Sequence, residues 1–269
     1  MELISQHNHT NFTGHGQGSI SELVSAAREK KMSNIAITEH YPLSGAVDPT
    51  NFISMPWDRL DEYCIEVKSQ QQRYDDIEIL LGCELDYLGD SEDRDMNPAD
   101  FDRFDIVLGS VHFEDGWAFD RSAEAGHWDE VGPDYIWDRY FELWCEAALS
   151  PWPFTVMSHP DLPKKFNRYP THDLLQYYRD AAEAAREGNR MIEVNTSGLT
   201  YACKELYPAP AMLREFCKAG VPCTIGTDAH EPCYVDRCLM EGYRHMYEAG
   251  YHELTVVVPG GDRRTVSLE

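Results

Sequence analysis

Apolar and polar positions alternate in a regular order along the chain. Short apolar, β-branched runs are followed by longer stretches with helical spacing. Ser19 and Glu22 have the form of a capping box. Residues 20–31 follow, with Leu23, Ala26 and Ala27 on one predicted helical face. Strands are predicted at 34–38, 77–83, 105–109, 154–157, 191–194, 222–226 and 254–258, after a first short one at Leu3 and Ile4. Helices are predicted at 57–75, 134–149, 174–187, 208–219 and 235–249. Gly188 and Gly220 stand in helix-stop positions. Residues 41–56, rich in Pro, Gly, Ser and Asn, form a loop, as do the acidic stretch 89–95 and the segment carrying Gly116 and Gly126.

This βα alternation implies a parallel sheet. Strand after strand runs into a polar residue of one chemical kind. The first reaches His7 and His9, and the next reaches Glu39 and His40. Later ones reach Glu84, His112, His159, Asn195 and Asp228-Ala229-His230. A closed parallel barrel brings all its C-terminal strand ends to one face, whereas an open doubly wound sheet gathers only a few. The expected fold is therefore an α/β, distorted (β/α)7 TIM-like barrel spanning residues 1–269 as a single domain, with the eighth strand as an appendage.

Composition narrows the partners. The net charge of −24 argues against nucleic acid and against an anionic membrane surface. No apolar run is long enough to span a bilayer, and the N-terminus lacks the basic start of a signal peptide. The 8 cysteines include no CxxC pair. They read as reduced thiols of a cytoplasmic protein, with Cys83 packed beside the proposed site.

Imidazole and carboxylate together suit zinc, iron or manganese, and a carboxylate can bridge two ions. The candidate ligands are His7, His9, His15, His40, Glu84, His112, His159, Asp228 and His230. In an extended strand, residues i and i+2 share a face. His7 and His9, and again Asp228 and His230, have that spacing. Glu84 lies in an apolar context, LLGCELDY, where a carboxylate needs a partner. The set is too large for one ion and supplies two or three. Clustered cations of this kind lower the pKa of bound water toward neutrality.

The motifs HNHT with its trailing His15, ITEH, GCELDY, LGSVHF, SHPDL, IEVNTSGL and TIGTDAH cover nearly the whole chain. In this order they resemble the PHP (polymerase and histidinol phosphatase) superfamily of metal-dependent phosphoesterases, in particular its histidinol-phosphate phosphatase branch. The resemblance implies a trinuclear centre. His7, His9, Glu84 and Asp228 would hold the first metal, and Glu84 would bridge to a second completed by His112 and His159. His15, His40 and His230 would hold the third. Glu84, His159 and Asp228 are the expected catalytic residues.

The resemblance also implies a phosphate-contacting cation in the loop after His159, where Lys164, Lys165 and Arg168 lie. Asn195 is a further candidate substrate contact. An ammonium and an imidazole on the substrate would find carboxylates and an aromatic ring in Glu114, Asp115, Trp117 and Asp120. One departure is that Thr200 and Tyr201 follow Leu199, where the family often carries a substrate-contacting Arg; the nearest base is Lys204. The expected activity is hydrolysis of L-histidinol phosphate, a small phosphate ester, in histidine synthesis. The alternatives are a PHP phosphoesterase of other specificity, acting on a nucleotide, a sugar phosphate or a phosphodiester, and a non-catalytic PHP module. An amidohydrolase is a further alternative, disfavoured because no strand end carries a Lys.

Overall fold

The structure, a computed structural model, describes residues 1–89 and 98–269. Most of the acidic loop expected at 89–95 thus lies outside the described residues. In chain order the elements are β1 (Ile4–Ser5), α1 (Ile20–Glu29), β2 (Asn34–Ile37), α2 (Leu60–Arg73), β3 (Glu78–Asp86) and β4 (Ile106–Ser110). Then come β5 (Phe113–Glu114), β6 (Trp117–Ala118), α3 (Trp128–Val131), α4 (Pro133–Leu149), β7 (Val156–Met157), α5 (Leu175–Glu187) and β8 (Met191–Asn195). The last are α6 (Pro210–Lys218), β9 (Cys223–Gly226), α7 (Leu239–Ala249), β10 (Glu253–Val257) and β11 (Arg263–Ser267).

Seven strands form one sheet in the order β1-β2-β3-β4-β7-β8-β9, every neighbouring pair parallel. The ends of this sheet meet. Gln6 N–H donates to the Ile225 carbonyl and Asp228 N–H to the His7 carbonyl, each at 2.9 Å. The result is a nearly closed seven-stranded barrel, as the convergence of strand ends requires.

Alternation along the strands sorts two apolar layers. Ala36, Leu80, Ile106, Leu108, Val156 and Met191 pack together inside the barrel with Val257. Their neighbours Ile35, Ile37, Ile79, Leu81, Cys83, Val107, Met157 and Ile192 belong to the larger shell between the sheet and the helices. Cys83 therefore packs outward, on the face opposite Glu84. The capping box on α1 is present, with Ser19 and Glu22 each bonding the other's backbone.

Three features differ from the sequence expectation. The helix expected from residue 235 begins at Leu239, because Cys238 has a left-handed φ of 57° and breaks the run. The β5–β6 hairpin is too short to show an alternating pattern. The final strand, β10, lies outside the seven-stranded sheet as expected, but it pairs antiparallel with β11, which the sequence pattern does not predict, and its Val257 closes the bottom of the barrel. No helix among the described residues is long and apolar enough to cross a membrane.

Candidate metal centre

Glu84 sits near the C-terminal end of β3 with both carboxylate oxygens inside the barrel mouth. Its Oε2 lies 3.2 Å from His7 Nε2, 3.3 Å from His9 Nε2 and 3.1 Å from His40 Nδ1. Its Oε1 lies 2.9 Å from His159 Nε2 and 3.5 Å from His112 Nε2. One carboxylate thus faces two sets of imidazoles. Asp228 Oδ1 approaches the first set, at 3.3 Å from His9 Nε2 and 3.6 Å from His7 Nε2.

Among the described residues, four overlapping groups have candidate ligand atoms within 4.8 Å of one another: His7/His9/Asp228, His7/Glu84/His159, His40/Glu84/His112 and His9/His40/His230. His15 belongs to none of them. Its Nδ1–H donates to the Phe52 carbonyl at 2.9 Å, and its ring lies beside those of His40 and His230 at 5.2 and 4.7 Å.

The donor set fits a cation. Two imidazole nitrogens confront each other between His7 and His9 at 3.0 Å, and two more between His112 and His159 at 3.2 Å. At most one atom of each pair can donate a proton. The Nδ1 atoms of His9 and His40 and the Nε2 of His230 are buried without a hydrogen-bond partner. Buried lone pairs pointed at one another are costly unless a positive charge sits between them.

Carboxylates behind the candidate ligands hold them in place. Glu193, inside β8, meets His7 Nδ1 at 3.0 Å and accepts from the backbone N–H of His159 at 2.9 Å. Asp86 meets His112 Nδ1 at 2.6 Å. Glu39 accepts from Thr10 N–H and Oγ1, both at 2.6 Å, beside His9. Such partners fix the ring orientation of a ligating histidine. Sequence reasoning missed all three, although Asp86 and Glu193 carry the signal that pointed to Glu84: a carboxylate inside an apolar strand. The backbone is strained at two candidate ligands, His159 with φ 24° and Asp228 with φ 50°. The bonds to Glu193 and to the His7 carbonyl hold these conformations.

Charge is partitioned accordingly. Burial works to raise the Glu84 pKa, yet the surrounding His40, His7 and His112 hold it well below the ordinary carboxylate range. Against burial, Asp228 and Glu84 push His9 up to about 9, and Asp86 and Glu84 push His112 up to about 10. Burial drives His230 down to about 3, with His9 adding to the effect.

Above this floor opens a cavity of about 600 Å³. His15, His40, Glu84, His112, His159, Asp228 and His230 all reach it. Among the other candidates, Lys165 and Asp120 line it and pair with each other at 2.8 Å. Lys165 also lies 4.5 Å over the Tyr201 ring.

The remaining candidate substrate contacts are placed elsewhere. Lys164 is 0% exposed and turned to Asp161 at 3.0 Å and to the Leu206 carbonyl at 2.7 Å. Arg168 pairs with Asp129 at 2.8 Å. Asn195 donates to Glu193 at 3.1 Å and accepts from Ser197 N–H at 2.9 Å. Asp115 is held at the surface by Tyr135 and Arg139. Glu114 is buried below the hairpin with no partner for either oxygen. Trp117 is half-buried against Phe119, His127 and Trp128. None of these six is among the residues lining the cavity. The sequence places three bases together after His159, but the loop's short 3-10 turn (Leu162–Phe166) sends them in different directions.

The PHP domain profile matches residues 5–197. A probable histidinol-phosphatase of Deinococcus radiodurans is 28% identical over 94% of this chain and 96% of its own. One of Schizosaccharomyces pombe is 26% identical over 96% and 90%. The crystal structure of histidinol phosphate phosphatase from Lactococcus lactis, complexed with zinc, L-histidinol and phosphate, superposes with a TM-score of 0.77 at 20% identity. It covers 98% of this chain and 99% of that one. Because the PHP domain profile matches well over half of its length, the chain belongs to the PHP domain family.

Proposed function

We propose that the protein is a metal-dependent phosphomonoesterase that hydrolyses L-histidinol phosphate to L-histidinol and phosphate. The observation that carries this reading is Glu84, whose two oxygens face two separate groups of imidazoles at the floor of an open cavity. Two or three divalent cations, zinc, manganese or iron, would be held by His7, His9, His40, Glu84, His112, His159, Asp228 and His230, with His15 alongside. Cations so placed supply Lewis-acid activation of water and neutralise charge on a phosphoryl group.

The chain's own residues supply the geometry. Glu193 and Asp86 hold His7, His159 and His112 in fixed orientations, so the site is organised before substrate arrives. Lys165, kept charged by Asp120 although burial opposes it, presents an ammonium to the cavity. The cavity suits a small ester in volume. Glu231 lines the cavity and offers a carboxylate to an ammonium, and the aromatic residues Phe52 and Phe113 beside it suit an imidazole. The relatives named for histidinol phosphate, and the L. lactis enzyme holding zinc, L-histidinol and phosphate, support the same substrate.

The test is phosphate release by the manganese-supplied protein from L-histidinol phosphate, p-nitrophenyl phosphate and a phosphodiester analogue. A strong preference for histidinol phosphate is expected. Turnover of the other esters without histidinol phosphate would move the specificity elsewhere in the family and make the cavity wall around Thr200 the place to look.

A further inference from the structure

Among the described residues, three Lys or Arg side chains reach the cavity wall: Arg121, Lys165 and Arg237. Two of them are already paired. Arg121 donates to Glu124 at 3.1 Å, and Lys165 to Asp120 at 2.8 Å. Arg237 is different. No carboxylate among the described residues forms an ion pair with it, and its Nε is buried with no hydrogen-bond partner. Among the described residues its only guanidinium hydrogen bond is a long one, Nη2 to the Thr227 carbonyl at 3.3 Å. A buried guanidinium donor without an acceptor is costly unless an anion completes it.

The local structure holds this guanidinium beside the metal floor. Thr227 directly precedes Asp228, so its carbonyl tethers the arginine one residue from a proposed ligand. Thr196 Oγ1 donates to the Arg237 carbonyl at 2.7 Å, tying the turn to the end of β8. The Tyr234 ring lies 4.8 Å from the guanidinium carbon. Ser197 and Thr200 line the same wall.

We propose that Arg237 is the phosphate clamp of this site, its free N–H groups gripping phosphoryl oxygens that the metal ligands do not face. The inference rests on the phosphatase reading. A planar fork of donors matches two oxygens of a phosphate, which the single point charge of Lys165 does not. Because the clamp touches the phosphoryl group and not the alcohol, its effect is common to all phosphomonoesters of this enzyme.

The experiment uses the metal-loaded protein with inorganic phosphate as the probe, read by titration calorimetry. Metal content and kinetics on histidinol phosphate and p-nitrophenyl phosphate are measured beside it. Arg237→Gln is expected to weaken phosphate binding roughly 10- to 100-fold. It should lower kcat/KM for both esters by a similar factor and leave metal content unchanged. Phosphate affinity within twofold of the parent overturns the proposal. So does loss of metal, which would make Arg237 a support of the metal site, and so does an effect confined to histidinol phosphate, which would turn Arg237 toward the alcohol. If Arg237→Gln does not fold, Arg237→Lys keeps the charge but not the fork. About fivefold or more weaker phosphate binding is expected there, and unchanged binding overturns the proposal. Phosphate binding needs no turnover, so it reads Arg237 even if histidinol phosphate proves not to be the substrate.

Discussion

The two ends of the barrel are both polar and both buried, and they solve the same problem in opposite ways. At the bottom, Gln6 is 1% exposed and fully satisfied. Its Nε2 donates to Asn34 Oδ1 at 2.9 Å and to the Val257 carbonyl at 2.7 Å. Its Oε1 accepts from Thr224 Oγ1 at 2.8 Å and from Val257 N–H at 3.1 Å. At the top, the next residue but two, His9, faces His7 and Glu84 with its Nδ1 unpartnered. A complete network rigidifies, whereas acceptors aimed at one another without donors leave a place for a cation. Burial alone distinguishes nothing; the bookkeeping of donors against acceptors does.

The comparison breaks most visibly at Glu84. Glu84→Gln removes the one carboxylate among the described residues that faces both imidazole groups. It is expected to cost ~1,000-fold or more in phosphate release. Metal content by atomic emission should fall, while the melting curve of the metal-stripped protein stays cooperative. At the opposite end, Gln6→Leu leaves Thr224 Oγ1, Asn34 Oδ1 and the Val257 N–H without the partner that Gln6 supplies. It should destabilise the fold by roughly 2–4 kcal/mol in chemical denaturation, yet leave kcat of the folded fraction unchanged. A loss of kcat there, without loss of stability, would erase the division between the two ends.

Glu193→Gln sharpens the division within the top. It keeps every proposed ligand but weakens the hold on His7 and His159. A reduction of about 10- to 100-fold in metal affinity is expected from competition with a chromophoric chelator.

The smallest effect belongs to Glu114, a buried carboxylate that neither end satisfies. Burial pushes its pKa from 4.5 to about 9, with Asp115 adding to the rise. Because the folded value is raised, its stabilising contribution is full below about pH 4.5 and is lost as pH climbs toward 9. Glu114→Gln should therefore be neutral near pH 4 and stabilise by roughly 1–2 kcal/mol near pH 8, as followed by denaturant midpoints.

Much of the top was legible in the sequence, because a barrel sends every strand's C-terminal end to one face. His7 and His9, Glu84, His112, His159 and Asp228 needed only the strand boundaries to be right within a residue or two. The barrel itself followed from the βα alternation. What stayed hidden depends on side-chain direction. Lys164, Lys165 and Arg168 lie within five residues of one another, but a short 3-10 turn gives only Lys165 to the cavity. Arg237 comes from a turn that reads as helix in the sequence, and its approach to the site depends on Thr196 and Thr227, which are distant in sequence from each other. The plug at the bottom was unreadable for the same reason: Gln6, Asn34, Thr224 and Val257 meet only once the barrel closes.

The most direct test of the account is a titration of divalent cation into chelator-stripped protein, with bound metal and phosphate release from histidinol phosphate measured on the same samples. The account predicts no release from the stripped protein and activity that rises with bound cation until the site is filled. Full phosphate release in the presence of excess chelator, or stoichiometric cation binding with no turnover of any phosphomonoester, would contradict it.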